Sequence, residues 1–225
     1  LREFENEYII VPLLTAAVKK INGVIDDTEA QAVVREVKKI DSNQAFLNIF
    51  RNGINLKDPA TGKMRDYFIV DLNNQANNHF VVTNQFYFEG NSENVRPDVM
   101  IFLNGLPIVD IEAKSPTAAS SIDYSNAIGQ IKRYERNAFR LYWPNCFNIA
   151  SDGLKTVYGT TYAPLQYFLE WREGDLEKKY GEGLEVTLAA LLSHDRLLDI
   201  IANFILFETE KEGAVKKMTR YMQYR

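Results

Sequence analysis

Apolar side chains recur every third or fourth position over residues 3 to 20, at Phe4, Tyr8, Val11, Leu14 and Val18, and this spacing predicts an amphipathic helix in spite of Pro12. A second helix is expected in "DDTEAQAVVREVKKI", with Asp27 or Thr28 as N-cap and Val33, Val34, Val37 and Ile40 on one face. A third, short helix is expected to end near Asn52 and Gly53. The period then changes. Residues 66–72, "HFVVTNQFYFE" and "RPDVMIFLNGLPIVDIEAKSP" (96–116) are short β-rich runs, the last holding two strands joined at Asn104-Gly105. Helical spacing returns through Ile122, Ala127, Ile131 and Tyr134, and "CFNIASDG" and "KTVYGTTY" read as two further strands. Helices, antiparallel strands, a crossing helix and more strands, in that order, predict an α/β fold with a mixed central β-sheet flanked by helices.

Beyond "YFLEWR" the pattern shifts again. Residues 173–183, "EGDLEKKYGEG", are polar and glycine-bearing and are expected to form a surface loop or linker; "LLSHDRLLDIIANFILFE" reads as one strongly apolar helix. The closing "KKMTRYMQYR" stops in mid-pattern, and a first residue Leu1 is what a fragment of a longer chain would show.

Composition narrows the chemistry. With 225 residues, 46% hydrophobic and 25% charged, the chain can bury a sizeable core and has no bias toward disorder. No apolar run nears the roughly 20 residues that cross a bilayer, and no signal-peptide pattern is seen, so the expected setting is the cytoplasm, away from membranes. One cysteine, Cys146, with only His79 and His194 beside it, excludes an internal disulfide and a Cys/His zinc site. A metal here would be held by oxygen, which favours magnesium, calcium or manganese. The net charge of −4 argues against general attraction to nucleic acid, leaving two local basic clusters: Lys132, Arg133, Arg136 and Arg140, and Lys216, Lys217, Arg220 and Arg225.

The hairpin holds the sharpest signal. Along its second strand Val109, Ile111 and Ala113 point one way, and Asp110, Glu112 and Lys114 the other. The ordinary reading is a half-exposed strand with a solvated face. Against it, Asp98 opens the preceding strand and can fold back beside Glu112, converging two carboxylates that one divalent cation would neutralise. Lys114 follows on the same face, where its ammonium can hold a water or a developing charge, and Pro116 ends the strand. A two-residue loop at Asn104 and Gly105 would pair Asp98 with Ile111 and put it on the wrong face. A three-residue loop is therefore expected, with Gly105 left-handed in a bulge.

"RPD" followed by "EAK" resembles the PD-(D/E)xK nuclease signature, with Pro97, Asp98, Glu112 and Lys114 at its positions. The surrounding "NNHFVVTNQF", "AIGQIKRY" and "IASDG", then "YGTTYAPLQYFLEW", resemble the N-terminal nuclease region of the restriction subunit of type I restriction enzymes, in order from about Asn77 to Trp171. The resemblance implies a PD-(D/E)xK restriction-endonuclease-like core that hydrolyses phosphodiester bonds of double-stranded DNA. It implies Mg²⁺ held by Asp98, Glu112 and the Ala113 carbonyl, with Lys114 orienting or activating the attacking water. It further implies a Gln-x-x-x-Tyr motif, matched by Gln130 and Tyr134 one helical turn apart, and an acidic residue on the first helix, for which Glu7 is the first candidate and Glu3 and Glu5 the next.

By the same resemblance, residues 1–172 are expected to be the endonuclease domain and 173–225 a linker and helical segment leading toward an ATP-dependent translocase. Modification and specificity subunits are the implied partners. ATP would serve only the motor domains, since this chain carries no glycine-rich phosphate loop. Asp110 departs from the family pattern, either as an extra oxygen donor or as a group facing water. Asp66 and Asp71 are expected to cap their strand, and Cys146 and His194 to be core or surface residues. The rival reading is a noncatalytic module that keeps the fold and docks DNA or partner subunits.

Overall fold

Pro12 decides where the first helix begins. In the computed structural model, which describes residues 4–58, 61–115, 123–210 and 213–225, α1 spans Val11–Asn22 with the proline in its first turn, where the missing N–H has no helical partner to lose. Residues 4–10 precede the helix instead of forming part of it, although Tyr8, Ile9 and Ile10 are buried. The second helix, α2 (Asp27–Lys38), is capped by Asp26, one residue before the expected positions. Asp26 accepts from the Glu29 amide while the Glu29 carboxylate accepts from the Asp26 amide. Ser42 caps α3 (Asn43–Asn52), and Gly53 ends it at φ +70°.

A two-stranded ribbon follows, β1 (Ile54–Lys57) against β2 (Met64–Tyr67). The strand expected over 66–72 stops at Tyr67 because the Asn22 side chain replaces a neighbouring strand: its amide donates to the Phe68 carbonyl at 2.7 Å and its oxygen accepts from the Phe68 amide at 2.8 Å. Ile69 and Val70 then enter the core as loop residues.

The main sheet contains β3 (Phe80–Asn84), β4 (Val99–Leu103), β5 (Leu106–Ala113), β6 (Phe147–Ser151) and β7 (Thr156–Thr160), side by side in that order. All neighbours are antiparallel except β5 and β6, which run parallel because α4 (Tyr124–Asn137) crosses between them. The fold is thus α/β around a mixed sheet, consistent with a PD-(D/E)xK-like nuclease core. Ala127, Ile128 and Ile131 of α4 pack on Ala150 and Val157 on one face of the sheet. On the other, Val109, Ile111, Phe147 and Ile149 join Leu14, Val33, Val34 and Phe46 of the three opening helices. With strands on both edges and helices on both faces, β5 is buried from Leu106 through Glu112. Its charged side is therefore no solvated face.

The hairpin reaches the required register by a different route from the one expected. Its loop is two residues, Asn104 (φ +51°) and Gly105 (φ +83°), as a type I′ turn requires, with Leu103 paired to Leu106. The slip comes three residues later: Ile101 pairs with Val109 but Phe102 with Pro107, leaving Ile108 as the bulged residue beside a proline that has no amide to give. Tertiary contacts hold the tight turn. The Asn104 side chain donates to the Ile69 carbonyl and accepts from the His79 amide, and the Gly105 carbonyl accepts from the Ile10 amide at 2.8 Å. A Cβ on Gly105 would stand 2.5 Å from the Ile10 carbonyl oxygen. Gly105→Ala is accordingly expected to destabilise the protein by more than the roughly 1 kcal/mol of a left-handed alanine alone, read as a lower urea midpoint at unchanged m; an unchanged midpoint would contradict this packing.

Residues 173–183 are not a loop. They contain α5 (Gly174–Tyr180), preceded by Glu173, whose carboxylate is gripped by both Arg196 terminal nitrogens at 2.7 and 2.8 Å. The expected single apolar helix is also divided: α6 (Leu184–Leu192), a break at Ser193, α7 (His194–Asp199) and a π-helical turn over Ile200–Phe204. Arg51 caps the end of this run through the Ile201 and Ile205 carbonyls, and the chain turns into β8 (Ile205–Glu210), paired with β9 (Gly213–Met218) before the short α8 (Tyr221–Tyr224). Leu191, Leu197, Ile201 and Ile205 share the core with the opening helices and the sheet. The second basic cluster is divided, with Arg220 and Arg225 exposed and Lys216 inside. Lys216 is buried, donating to the Asn145 carbonyl at 2.8 Å, and burial lowers its amine to about 8. Lys217 pairs with Glu208 and Glu210.

Candidate active site

The bulge at Ile108 sets Val99 opposite Ile111 and Met100 opposite Asp110, so Asp98, one residue before β4, falls beside Glu112 on the face covered by α4. Contact follows from this register: the Asp98 amide donates to Glu112 Oε1 at 3.2 Å. Each Asp98 carboxylate oxygen has its own donor, Oδ2 from the Ala113 amide at 3.0 Å and Oδ1 from Gln85 Nε2 at 2.9 Å. Lys114 Nζ stands 3.7 Å from Glu112 Oε2 and donates to Gln130 Oε1 at 2.6 Å. The Gln130 amide nitrogen donates to Glu112 Oε2 at 2.5 Å and to the Tyr134 hydroxyl at 2.9 Å, and that hydroxyl reaches the Arg96 carbonyl at 3.4 Å. The structure thus brings Asp98, Glu112, Lys114, Gln130 and Tyr134 into one hydrogen-bonded group, with Ala113 at the exposed end of β5 contributing its amide. Gln130 is half-buried and Tyr134 buried.

The electrostatics of the group are those of crowded acids. Burial, then the adjacent Asp110 and Asp98 carboxylates, push the Glu112 carboxyl well above the usual carboxylate range. Two carboxylates in contact, both with oxygen lone pairs to spare, suit a hard divalent cation, whose charge would reverse that repulsion. Among the described residues no group of three or more His, Cys, Asp or Glu side chains forms a metal site, so a cation here would draw on the two acids, backbone oxygen and water.

Asp110 does not face water. It is wholly buried, and burial raises its carboxyl, opposed by the Tyr142 hydroxyl that donates to Oδ2 at 2.5 Å and reinforced by Glu135 and Asp98. Glu135 is buried too. It accepts from Asn148 Nδ2 at 3.0 Å, the Tyr162 amide at 2.8 Å and Lys132 Nζ at 2.7 Å. Asp110 Oδ1 and Asn148 Oδ1, cross-strand neighbours in β5 and β6, have no hydrogen-bond partner among the described residues. The sequence signals missed Gln85, Tyr142 and Glu135. Gln85 lay within "NNHFVVTNQF" and Glu135 within the α4 basic cluster, but neither position has a periodicity or spacing that points to Asp98 or Asp110.

Other candidates fall elsewhere. Glu7 lies ahead of α1, not on it, and its carboxylate pairs with Lys38 of α2 at 3.3 Å; Glu5 is exposed in the same stretch. Glu3, Pro116 and Ile122 lie outside the described residues. Asp66 is no cap but a cross-strand partner of Asn55 at 2.6 Å, whereas Asp71 caps the turn after β2 by accepting from the Asn73 and Asn74 amides. Cys146 is a core residue and His194 a surface one, stacked on Phe80 at 3.8 Å. In the first basic cluster, Lys132 pairs with Glu135, Arg133 with Glu93, and Arg140 lies over the Tyr8 and Trp143 rings, while Arg136 is exposed.

Comparison with known proteins gives the same direction. The family model for the type I restriction enzyme R protein N terminus matches residues 2–167. The chain is 31% identical to the HindI endonuclease subunit of a type I restriction enzyme from Haemophilus influenzae, across 96% of this chain and 22% of that protein. It is 33% identical to a Methanocaldococcus jannaschii protein assigned as the MjaVIIIP endonuclease subunit of such an enzyme, across 97% of this chain and 22% of that protein. The chain therefore spans about a fifth of the length of these relatives.

Proposed function

This chain belongs to the family of type I restriction enzyme R protein N termini, and from that premise we propose that it is a Mg²⁺-dependent endonuclease domain that cuts double-stranded DNA. The observation that carries the reading is the convergence of Asp98, Glu112 and Lys114 at one end of the β4–β5 hairpin. Bound Mg²⁺ would supply Lewis acidity toward a phosphate oxygen. Asp98, Glu112 and the Ala113 carbonyl would hold it. Lys114 would orient the attacking water, whose oxygen bonds to phosphorus as one P–O ester bond breaks, the proton the water sheds to solvent being matched by the one the leaving alkoxide takes up from solvent. The Gln130 amide locks Lys114 to Glu112 by donating to one and accepting from the other, and Tyr134 holds that amide from the next turn of α4. Arg136 lies exposed on the same helix, where it can meet the DNA backbone.

Recognition and methylation would belong to specificity and modification subunits, and ATP hydrolysis to motor domains of the same polypeptide. The cytoplasm is the matching compartment, and among the described residues no helix is long and apolar enough to cross a membrane. The test is cutting of unmodified circular DNA by the full-length protein assembled with its partner subunits, in Mg²⁺ and ATP. Double-strand breaks are expected. An assembly that hydrolyses ATP on this DNA yet leaves it intact would favour the noncatalytic docking module.

A further inference from the structure

Asp98 is held from both sides, and one of its holders belongs to neither β5 nor α4. We infer that Gln85 is a positioning residue, whose side-chain amide sets the plane in which Asp98 presents its carboxylate to a divalent cation; the inference rests on the metal-site reading above. An aspartate carboxylate turns easily about its terminal torsion, which has broad wells. Here the Ala113 amide binds Oδ2 from β5 at 3.0 Å and the Gln85 amide binds Oδ1 from beyond β3 at 2.9 Å. One donor on each oxygen fixes the plane and leaves lone pairs on both.

The backbone at Gln85 is shaped for this task. β3 ends at Asn84, and Gln85 then takes φ +51°, a left-handed conformation more natural to glycine or asparagine. Its own amide still donates to the Asp98 carbonyl at 2.9 Å, so main chain and side chain grip the same residue. Asparagine would suit that φ better but is one methylene shorter. A lysine or arginine could reach, but its charge would oppose a cation on Asp98. A neutral donor of glutamine's length meets both demands, and Gln85 is exposed, so no packing requirement dictates a side chain of this size.

The test is Mn²⁺ binding to the nucleotide-free full-length protein, followed by the electron-spin resonance of free Mn²⁺. Gln85→Met keeps the length and removes the donor. Gln85→Asn keeps an amide and tolerates the left-handed backbone, but does not reach. Both are expected to weaken Mn²⁺ binding about 10- to 100-fold, the scale for outer partners of metal ligands, with the thermal midpoint of the metal-free protein unchanged. Wild-type Mn²⁺ affinity in both variants overturns the inference, as does a loss of affinity that tracks a lowered midpoint in both. Asp98→Ala, run in parallel, separates the two levels. If it still binds Mn²⁺ like wild type, the metal-site reading itself fails; if it loses Mn²⁺ while the Gln85 variants do not, only the role of Gln85 falls.

Discussion

Alanine at Asp98 or at Glu112 is expected to abolish DNA cutting by the assembled full-length enzyme while ATP hydrolysis and subunit assembly persist. Each substitution takes one of two carboxylates from the proposed cation site, and the loss should be at least ~10² fold, the scale for removing one preorganised electrostatic group. Folding should survive. Glu112 is buried against Asp98 and Asp110, and in the metal-free chain that arrangement favours its protonated form, a sign that the carboxylate charge costs stability rather than adding it. Glu112→Gln removes that charge but turns an amide NH₂ toward one of two donors, the Asp98 amide or Gln130 Nε2, so the relief and the lost hydrogen bond offset each other and its metal-free midpoint should stay close to wild type. Asp98→Ala leaves two donors, the Ala113 amide and the exposed Gln85 side chain, without their acceptor. Water can serve the latter. Parallel assays of cutting and ATP hydrolysis decide the matter: equal loss of both would assign these residues to folding or docking.

Lys114→Ala should lower cutting by at least ~10² fold at saturating Mg²⁺, the usual scale for one electrostatic or acid–base contributor. Mn²⁺ binding should largely survive, because Lys114 supplies no oxygen to a cation. The geometry also explains why arginine should rescue poorly. The ammonium sits within hydrogen-bond reach of Gln130 Oε1 and 3.7 Å from Glu112 Oε2, a position for a compact head with donors in several directions. A planar guanidinium has a different reach and fixed donor directions. Cutting by the two variants in the complete complex, with DNA binding checked separately, is the measurement. Near-normal cutting by Lys114→Ala would remove the lysine from the reaction.

What could be read from the chain alone was whatever local chemistry imposes. The alternation of Asp110, Glu112 and Lys114 with Val109, Ile111 and Ala113 needs only the two-residue period of a strand. The common face of Gln130 and Tyr134 needs only the helical turn. The three opening helices, the turn at Asn104-Gly105 and the mixed sheet are likewise consequences of short-range periodicity and turn propensity. Other features depended on partners distant in sequence. The strand at 66–72 ended early because Asn22 bound the Phe68 backbone, and the C-terminal apolar run broke into a π-turn and a strand where Arg51 took its carbonyls. The need for Asp98 to share a face with Glu112 was legible; its means, a bulge at Ile108, was marked in the sequence only by Pro107, and its register was set by the strands on either side. Gln85 and Tyr142 reach their carboxylates across 13 and 32 residues of chain, so their roles exist only once the sheet has assembled. Propensity and period act between near neighbours, whereas the orientation and ionisation of a carboxylate depend on whatever folding brings within a few ångströms of it.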